Sequence, residues 1–282
     1  MTRDETPEAT LRRARERLTE AGVWDVEGDL SALVDRFLHR AEPVGAHAEF
    51  EAAVAERCAR IPLGHITGSV VFDGLGFVVG SGVFVPRSQS TALVEWAAGD
   101  EVLPPGGRVL DLCSGVGALG IALARRRPDA TVTCVERDET AVQYLRRNVA
   151  RHAEATRKVT VEVRDLLVPD CLADEAARVD LVIANPPYVP PDVGLLPEWS
   201  VHHPRAAVYS GLDGLDLIRA ILRHATTVLR PEGRLALEHD EEQPVAVQKL
   251  LAAEGFSEVT TLPDSDGDPR ITVARITPQE NP

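Results

Sequence analysis

Residues 109–120 read VLDLCSGVGALG, an apolar run that passes directly into a glycine-rich turn. Residues 109–112 have the composition of a buried strand, and Gly115, Gly117 and Gly120 have the spacing GxGxxG where a helix is expected to begin. A strand, a glycine turn and a helix in this order are typical of nucleotide-binding α/β folds, in which a nucleoside cofactor lies over the turn. The stretch therefore predicts an α/β sheet with a cofactor site at this turn.

Strands and helices alternate from this turn towards the end of the chain. Strands are predicted at residues 108–112, 131–136, 159–163, 179–184 and 234–238, and helices at residues 118–126, 139–152, 215–229 and 244–255. Two further strands, at residues 256–261 and 270–275, are separated only by an Asp/Gly/Pro turn and should pair antiparallel at the sheet edge. The predicted fold class is α/β, a doubly wound and mostly parallel sheet with an antiparallel terminal pair.

The beginning of the chain has a different pattern. Between about residues 7 and 60, apolar residues recur every three or four positions, with breaks at Gly22 and at residues 43–45, which predicts a bundle of short helices. Residues 65–72 and 77–85 are β-rich and flank a glycine-containing turn, which predicts a hairpin. We therefore divide the chain into a helical domain at residues 1–62, a hairpin connector at 63–86 and an α/β domain at 87–282.

The composition is that of a soluble protein. Of the 282 residues, 44% are hydrophobic and 26% are charged, and no apolar run approaches the ~20 residues that span a bilayer. The polar start predicts no secretory signal, and Cys58, Cys113, Cys134 and Cys171 are scattered, as expected for buried free thiols in a reducing compartment. We expect a cytoplasmic protein without a structural metal or a membrane partner.

The formal net charge of −14 argues against a nucleic-acid partner, because binding to phosphates usually depends on Lys and Arg. Arginines cluster at residues 125–127 and 146–151, which leaves a local basic face open, although such clusters are also typical of solvated helix faces. No stable binding of nucleic acid is expected.

A second informative turn, Asn185-Pro186-Pro187-Tyr188, follows the predicted strand at residues 179–184. The two prolines remove backbone donors and leave carbonyl oxygens unpaired at the end of a strand, where open α/β sheets bind ligands. The Asn185 carboxamide adds a further acceptor, and Tyr188 can lie flat against a planar group. The turn suits a substrate whose reacting atom is a planar nitrogen; a proline-rich loop with an ordinary turn Asn is the alternative.

Acidic residues accompany three of the predicted strands. Asp111 could hold the cationic amino acid end of a cofactor, or could be a buried polar partner. Glu136, about 20 residues beyond the glycines, could accept from both ribose hydroxyls. Asp165 could accept from an adenine amino group or form an Asx turn. With the proline turn and the antiparallel end of the sheet, Asp111 favours S-adenosylmethionine over NAD; the predicted cofactor-binding residues are Asp111, Cys113, Gly115, Gly117, Glu136, Asp165 and Asn185.

The assembled motifs resemble the HemK/PrmC protein-(glutamine-N5) methyltransferases. The resemblance covers nearly the whole chain and rests on residues 84–87 (FVPR), 111–117, 185–188, 213–216 (DGLD) and 237–239 (LEH). It implies a Rossmann-like class I S-adenosylmethionine-dependent fold with a seven-stranded sheet. It also implies that the substrate is the glutamine of the Gly-Gly-Gln loop in a peptide chain release factor, a partner that the helical domain would recognise.

The resemblance assigns roles to site residues. The Asn185 side-chain oxygen and the Pro186 carbonyl would each accept one N–H of the glutamine, and Tyr188 would stack on its amide plane. The implied catalytic residues are therefore Asn185, Pro186 and Tyr188, and the implied substrate-binding residues also include Pro187, Pro86 and Arg87.

Three positions depart from the family pattern. Residues 88–91 read SQST where the family commonly has Pro-Asp-Thr-Glu, His203 stands where Glu is frequent, and Asp240 replaces the usual Gly. These departures leave open a small amino acid or metabolite nitrogen as the substrate. A nucleic-acid amino-methyltransferase, a cofactor-binding adaptor without turnover and an NAD-dependent dehydrogenase are further alternatives.

The segment after Tyr188 contains further polar and aromatic candidates. His202 and His203 could act as a base or bind a metal, but such a pair is more often part of a polar loop. Trp199 and Tyr209 could form a substrate wall or pack into the core.

Overall fold

The computed structural model describes residues 6–39 and 45–277, and its first part is a helical bundle. The helices are α1 (Pro7–Glu20), α2 (Val26–Phe37), α3 (Ala46–Cys58) and the short α4 (Leu63–Thr67). The side chains of Thr6 and Asp25 accept backbone N–H groups at the starts of α1 and α2. Buried residues from three helices, among them Leu18, Leu33 and Phe50, form a core of their own. The predicted break at Pro43 lies outside the described residues.

A two-stranded hairpin follows, formed by β1 (Ser69–Phe72) and β2 (Leu75–Val78). Its turn residues Asp73 and Gly74 both have positive φ angles, as a tight two-residue hairpin requires. The predicted strands were too long at their outer ends. Residues 63–67 form α4, which ends at the left-handed Gly68, and residues 79–85 leave the ladder.

The rest of the described chain forms a seven-stranded sheet. Its elements are α5 (Thr91–Ala97), β3 (Arg108–Leu112), α6 (Ala118–Arg126), β4 (Thr131–Glu136), α7 (Glu139–Arg151), β5 (Val159–Val163), β6 (Val179–Ala184), α8 (Pro197–Ser200), α9 (Asp216–Val228), β7 (Leu229–Glu238), α10 (Pro244–Ala253), β8 (Phe256–Leu262) and β9 (Ile271–Ile276). The strand order is β5-β4-β3-β6-β7-β9-β8, with β9 antiparallel to both of its neighbours and every other pair parallel. The predicted fold class is confirmed.

The strand β7 begins earlier than predicted. Leu229 pairs with Val179, and the next pair is Arg234 with Leu181, so residues 230–233 bulge out of the ladder. This short, polar, glycine-containing bulge separates the two paired parts of the strand, and the sequence pattern marked only the second part.

Helices cover both faces of the sheet, because alternate residues of the central strands point to opposite sides. Leu110 and Val182 pack with α9 and α10, whereas Val109 and Ile183 pack with α5 and α6. The cysteines are free as predicted, but only Cys134 is buried; Cys58, Cys113 and Cys171 are partly exposed. Within residues 6–39 and 45–277, no helix combines the length and the apolar character needed to cross a bilayer.

The chain order of the strands reverses at β3, which lies between β4 and β6. Successive strands β3, β4 and β5 extend in one direction, and the chain then returns to place β6 on the other side of β3. In an open α/β sheet, such a reversal creates a crevice at the carboxyl ends of the two strands. Both informative turns, after β3 and after β6, are therefore brought to one crevice.

Candidate active site

A cavity of about 880 Å³ lies at this crevice. Its floor consists of the turn after β3, the ends of β4 and β5, and Asn185 to Tyr188. Phe84, Pro86 and Arg87 line one side, and the loop at residues 190–208 lines another. The structure thus brings together the predicted cofactor motif, the proline turn and Pro86-Arg87.

The glycine turn is shaped by backbone conformations that favour glycine. Gly117 has a φ of 89° and precedes the first residue of α6, and a Cβ there would overlap with Leu145. A Cβ on Gly120 would lie 2.6 Å from the Cys134 sulfur, so α6 can approach β4 closely only with glycine here. Cys113 has a φ of 60° and lines the cavity, a left-handed conformation that few side chains adopt.

Asp111 lies beneath the glycine turn and is fully buried. Its Oδ2 accepts the Gly120 backbone N–H at 3.0 Å, whereas its Oδ1 has no hydrogen-bond donor among the described residues. Burial raises the pKa of Asp111 to about 7. The residue is not among those that line the cavity, so the structure supports its alternative role as a buried polar partner of the turn. Its contact with a cofactor stays a prediction.

Glu136 ends β4 and lines the cavity beside the glycine turn. Its Oε2 accepts from the Gly115 N–H at 2.8 Å, and its Oε1 accepts from the N–H groups of Arg137 and Asp138 at 2.8 and 2.9 Å. These three charge-assisted bonds fix the carboxylate at the rim of the turn.

Asp165 follows β5 and also lines the cavity. Its Oδ1 accepts from the Leu167 N–H at 2.9 Å, which is the Asx turn considered from the sequence. It also forms a 3.3 Å ion pair with Arg137. The local turn does not exclude a ligand contact, because the carboxylate remains partly exposed to the cavity.

Asn185 follows the last residue of β6 and is linked by hydrogen bonds to two residues that the site prediction omitted. Its Nδ2 donates to Ser90 Oγ at 3.2 Å, and Ser90 Oγ donates to Glu238 Oε2 at 2.5 Å. Ser90 and Glu238 are 2% and 3% exposed, and burial raises the pKa of Glu238. The sequence carried one signal, an acidic residue directly after the apolar residues 235–237, but not the contact itself.

The proline turn is held in place from behind. Gln243 Nε2 donates to the Tyr188 carbonyl at 2.9 Å and to the Asp213 carbonyl at 3.3 Å. A Cβ on Gly214 would overlap with the Tyr188 carbonyl, so the turn at residues 213–214 packs closely only with glycine. The sequence pattern also missed Gln243, as it missed Ser90 and Glu238. Burial raises the pKa of the Tyr188 hydroxyl, which therefore stays protonated.

Trp199 and His203 belong to the loop that lines one side of the cavity. Their rings stack with centroids 4.9 Å apart, and the Arg87 guanidinium lies over Trp199 at 5.1 Å. His203 Nε2 accepts the Val85 backbone N–H at 3.2 Å, and burial lowers the pKa of His203 to about 4. His203 is thus a neutral packing residue of the wall. Trp199 lines the cavity, which agrees with the substrate-wall alternative and not with packing into the core.

His202 does not join His203. Its Nε2 bonds to the Ala59 carbonyl in the segment after α3, at 3.1 Å. Over residues 6–39 and 45–277, no group of three or more His, Cys, Asp or Glu side chains is placed to hold a metal ion. Tyr209, the other candidate wall residue, is not among the lining residues; its ring contacts Arg205.

The loop containing Trp199 is also tied to the helical bundle by buried charges. Arg60 donates to both carboxylate oxygens of Glu198 at 2.7 Å, and Arg57 pairs with Glu198 at 2.9 Å and with Asp29 at 2.5 Å. Asp29, Arg57 and Glu198 are each less than a tenth exposed. The helical part therefore contacts the cavity wall directly.

The class of protein follows from the sheet and the cofactor side of the cavity. The seven-stranded sheet is mostly parallel with an antiparallel β9, a glycine turn follows its central strand, and an acidic residue ends the next strand. Together these features define an S-adenosylmethionine-dependent methyltransferase. A family model described as methyltransferase small domain matches residues 88–193. Among solved structures, the chain is similar to a SAM-dependent O-methyltransferase from Thermotoga maritima, with a TM-score of 0.48, 15% identity and coverage of 71% of this chain and 69% of that one.

Relatives with known names match almost the full chain. A release factor glutamine methyltransferase of Mycolicibacterium smegmatis is 41% identical over 82% of this chain and 81% of its own. Proteins of the same name from Streptomyces coelicolor and Cereibacter sphaeroides are 38% and 36% identical and cover 95% and 94% of this chain and 97% of their own. The chain belongs to the release factor glutamine methyltransferase family, which confirms the resemblance found in its motifs.

Proposed function

We propose that the protein transfers a methyl group from S-adenosylmethionine to the side-chain nitrogen of the glutamine in the Gly-Gly-Gln loop of a peptide chain release factor. The names of the relatives support this substrate. The observation that carries the proposal is a pair of acceptors, the Asn185 side-chain oxygen and the Pro186 carbonyl, at the cavity. No described residue donates a hydrogen bond to either oxygen.

The two acceptor oxygens would make the glutamine side-chain nitrogen a better nucleophile. A carboxamide nitrogen is a poor nucleophile because its lone pair is delocalised into the carbonyl. If Asn185 and Pro186 each accept one N–H, the lone pair is directed into the cavity, where the cofactor would supply an electrophilic methyl group on a sulfonium. The same oxygens stabilise the positive charge that develops on the nitrogen, which is preorganised electrostatic catalysis. Tyr188 would stack on the amide plane. After methyl transfer the positively charged nitrogen would lose one of its two protons to solvent, so no dedicated general base is needed.

The cofactor side of the cavity fits S-adenosylmethionine. Glu136 is held by three backbone N–H groups at the rim of the glycine turn, where its carboxylate can accept from ribose hydroxyls. Asp165 lies where it can accept from an adenine amino group, and Gly115 leaves open space around its Cα. Asp111 supports this surface from below and carries the one buried carboxylate oxygen of the turn without a described donor.

The substrate side of the cavity contains Pro86, Arg87, Pro187 and Trp199. Arg87 lies over the Trp199 ring, and no described carboxylate lies within ion-pair distance of it. Its guanidinium is therefore free to bind backbone carbonyls of a loop that enters the cavity. The helical bundle, at residues 1–62 in our division, would bind the body of the release factor, and the reaction would take place in the cytoplasm, where translation ends.

Radiolabelled S-adenosylmethionine tests this proposal with a purified release factor and a matched copy whose Gly-Gly-Gln glutamine is replaced by alanine. We expect label in the intact factor and none in the altered copy. Label in neither, with the cofactor still bound, would contradict the proposed substrate and favour a small amino acid or metabolite nitrogen, the alternative raised by the departures at residues 88–91 and at His203 and Asp240. Equal label in both copies would place the methylated atom elsewhere.

A further inference from the structure

Asn185 must present one particular end of its carboxamide to the substrate. The two ends of an Asn side chain have the same shape, but the oxygen accepts hydrogen bonds and the NH₂ group donates them. A flip of the side chain would point the NH₂ group at a substrate that also carries an NH₂ group. Catalysis through Asn185 therefore requires a hydrogen-bond partner that fixes the orientation of its carboxamide.

The ends of β6 and β7 bring Asn185 and Glu238 together. These strands are parallel neighbours in which Ala184 pairs with Leu237, so the next residues, Asn185 and Glu238, are adjacent at the carboxyl ends. Ser90 reaches this point from the turn that precedes α5, a helix that packs against both strands. Three segments that are far apart in sequence thus meet in one buried hydrogen-bonded chain.

The polarity of this chain follows from its buried end. A carboxylate can only accept hydrogen bonds, so the Ser90 hydroxyl must donate its hydrogen to Glu238. The hydroxyl oxygen then has only lone pairs to offer Asn185, which must donate through Nδ2. Burial raises the pKa of Glu238, whereas the hydrogen bond from Ser90 and the positive charges of Arg87 and Arg270 oppose that rise and favour the carboxylate. The result is an Asn185 oxygen that points away from Ser90 and towards the cavity.

We propose that Glu238, acting through Ser90, is a positioning residue that fixes the Asn185 carboxamide with its oxygen towards the methyl acceptor. This inference rests on the proposed role of Asn185 in methyl transfer. Ser90 stands where the family commonly has Thr, and both residues supply a hydroxyl. Glu238 is not among the residues that line the cavity, so its proposed effect on the reaction is exerted through Ser90 and Asn185.

The kinetic test uses four variants of the full chain and a fifth as a control. Ser90→Ala should lower kcat about tenfold or more, the scale for losing the alignment of one preorganised group, with the KM for the cofactor unchanged. Ser90→Thr should restore kcat to within about threefold of wild type, because it keeps the hydroxyl. Glu238→Met, which removes the acceptor at similar volume, should resemble Ser90→Ala, and the variant that combines Ser90→Ala with Glu238→Met should be no slower than either single variant.

Gln89→Ala is the control from the same turn, since the Gln89 side chain bonds to Asp266 instead. Wild-type kcat in Ser90→Ala, or additive losses in the double variant, would overturn the proposal.

A spectroscopic measurement separates this proposal from the proposed function. In protein labelled with nitrogen-15, the Asn185 side-chain resonance, assigned by its loss in Asn185→Asp, should show one amide hydrogen protected from solvent exchange. Ser90→Ala should abolish that protection, and Ser90→Thr should keep it. This readout needs no methyl acceptor, so it decides the orientation even if the wild type leaves release factors unlabelled. Unchanged protection in Ser90→Ala would exclude the Ser90 contact.

Discussion

The two halves of the cavity are built in different ways. On the cofactor side, the contacts are local: Glu136 bonds to Gly115 across 21 residues, and Asp111 bonds to Gly120 across nine. On the substrate side, Asn185 reaches Ser90 across 95 residues, and Ser90 reaches Glu238 across 148. The cofactor side is thus formed by the ends of successive strands that lie close together in sequence, whereas the substrate side is assembled from distant segments.

The substrate side depends on the helical bundle as well. His203 bonds to Val85 across 118 residues, and Arg60 bonds to Glu198 across 138. Substitutions on the two sides should therefore have different consequences. Changes on the substrate side should alter stability or turnover, and changes on the cofactor side should alter cofactor affinity.

The largest effect is expected at Arg57, which joins Asp29 and Glu198 in the buried chain of charges. Arg57→Ala leaves both carboxylates without this partner, and removing one member of a buried ion pair typically costs about 3–5 kcal/mol in the free energy of unfolding. Denaturant unfolding measures the loss. The matched control is Arg15→Ala, which breaks an exposed pair with Glu27 and should cost far less stability, because solvent screens exposed charges. Equal losses in the two variants would show that the buried chain does not stabilise the contact between bundle and wall.

The next effect concerns the pH dependence of stability. Because the folded-state pKa of His203, about 4, lies below its unfolded value of 6.5, the unfolded state binds more protons between these two values. The stability that neutral His203 provides is therefore complete above pH 6.5 and is lost as the pH falls towards 4, a change of about 3 kcal/mol. We expect His203→Phe, which keeps an aromatic ring in the stack but does not titrate, to lose less stability than wild type over this range. Parallel curves of unfolding free energy against pH would contradict the burial of His203 as a neutral group.

A third prediction concerns turnover. Asn185→Ala removes one of the two proposed acceptors and should lower kcat by about 10²-fold or more, equivalent to about 2.7 kcal/mol in the activation free energy. Cofactor affinity, measured by calorimetry, should change little. A kcat within a few-fold of wild type would remove Asn185 from the mechanism.

The smallest of these effects is expected on the cofactor side. Glu136→Gln keeps the size of the side chain but removes the charge that its three backbone bonds and a ribose would share. Hydrogen bonds to charged groups contribute about 1.5–3 kcal/mol, so the Kd for S-adenosylmethionine should rise about tenfold or more. At saturating cofactor, kcat should stay near the wild-type value. A fall in kcat with unchanged Kd would contradict the assignment of Glu136 to cofactor binding.

Much of the fold could be predicted from the sequence because its signals are local. The bounds of β3, β4, β5 and β6 match the predicted ranges, since each is a short run rich in β-forming residues. The hairpin was predicted too long, because β-rich composition at residues 65–67 does not distinguish a strand from the short α4 that packing selects. The start of β7 was missed because a bulge interrupts its pattern.

The class of sheet, the glycine turn, the proline turn and the family could be recognised from the sequence alone, because each depends on the types and spacing of neighbouring residues. The folded chain was needed to show that Asp111 lies under the cavity, that His203 packs among aromatic rings, and that Ser90 and Glu238 form a hydrogen-bonded chain with Asn185. The physical reason is that burial and hydrogen-bond partners depend on which distant segments meet. The contacts among Ser90, Asn185 and Glu238 follow from the strand order at the crevice, where β6 and β7 end side by side next to the turn that carries Ser90.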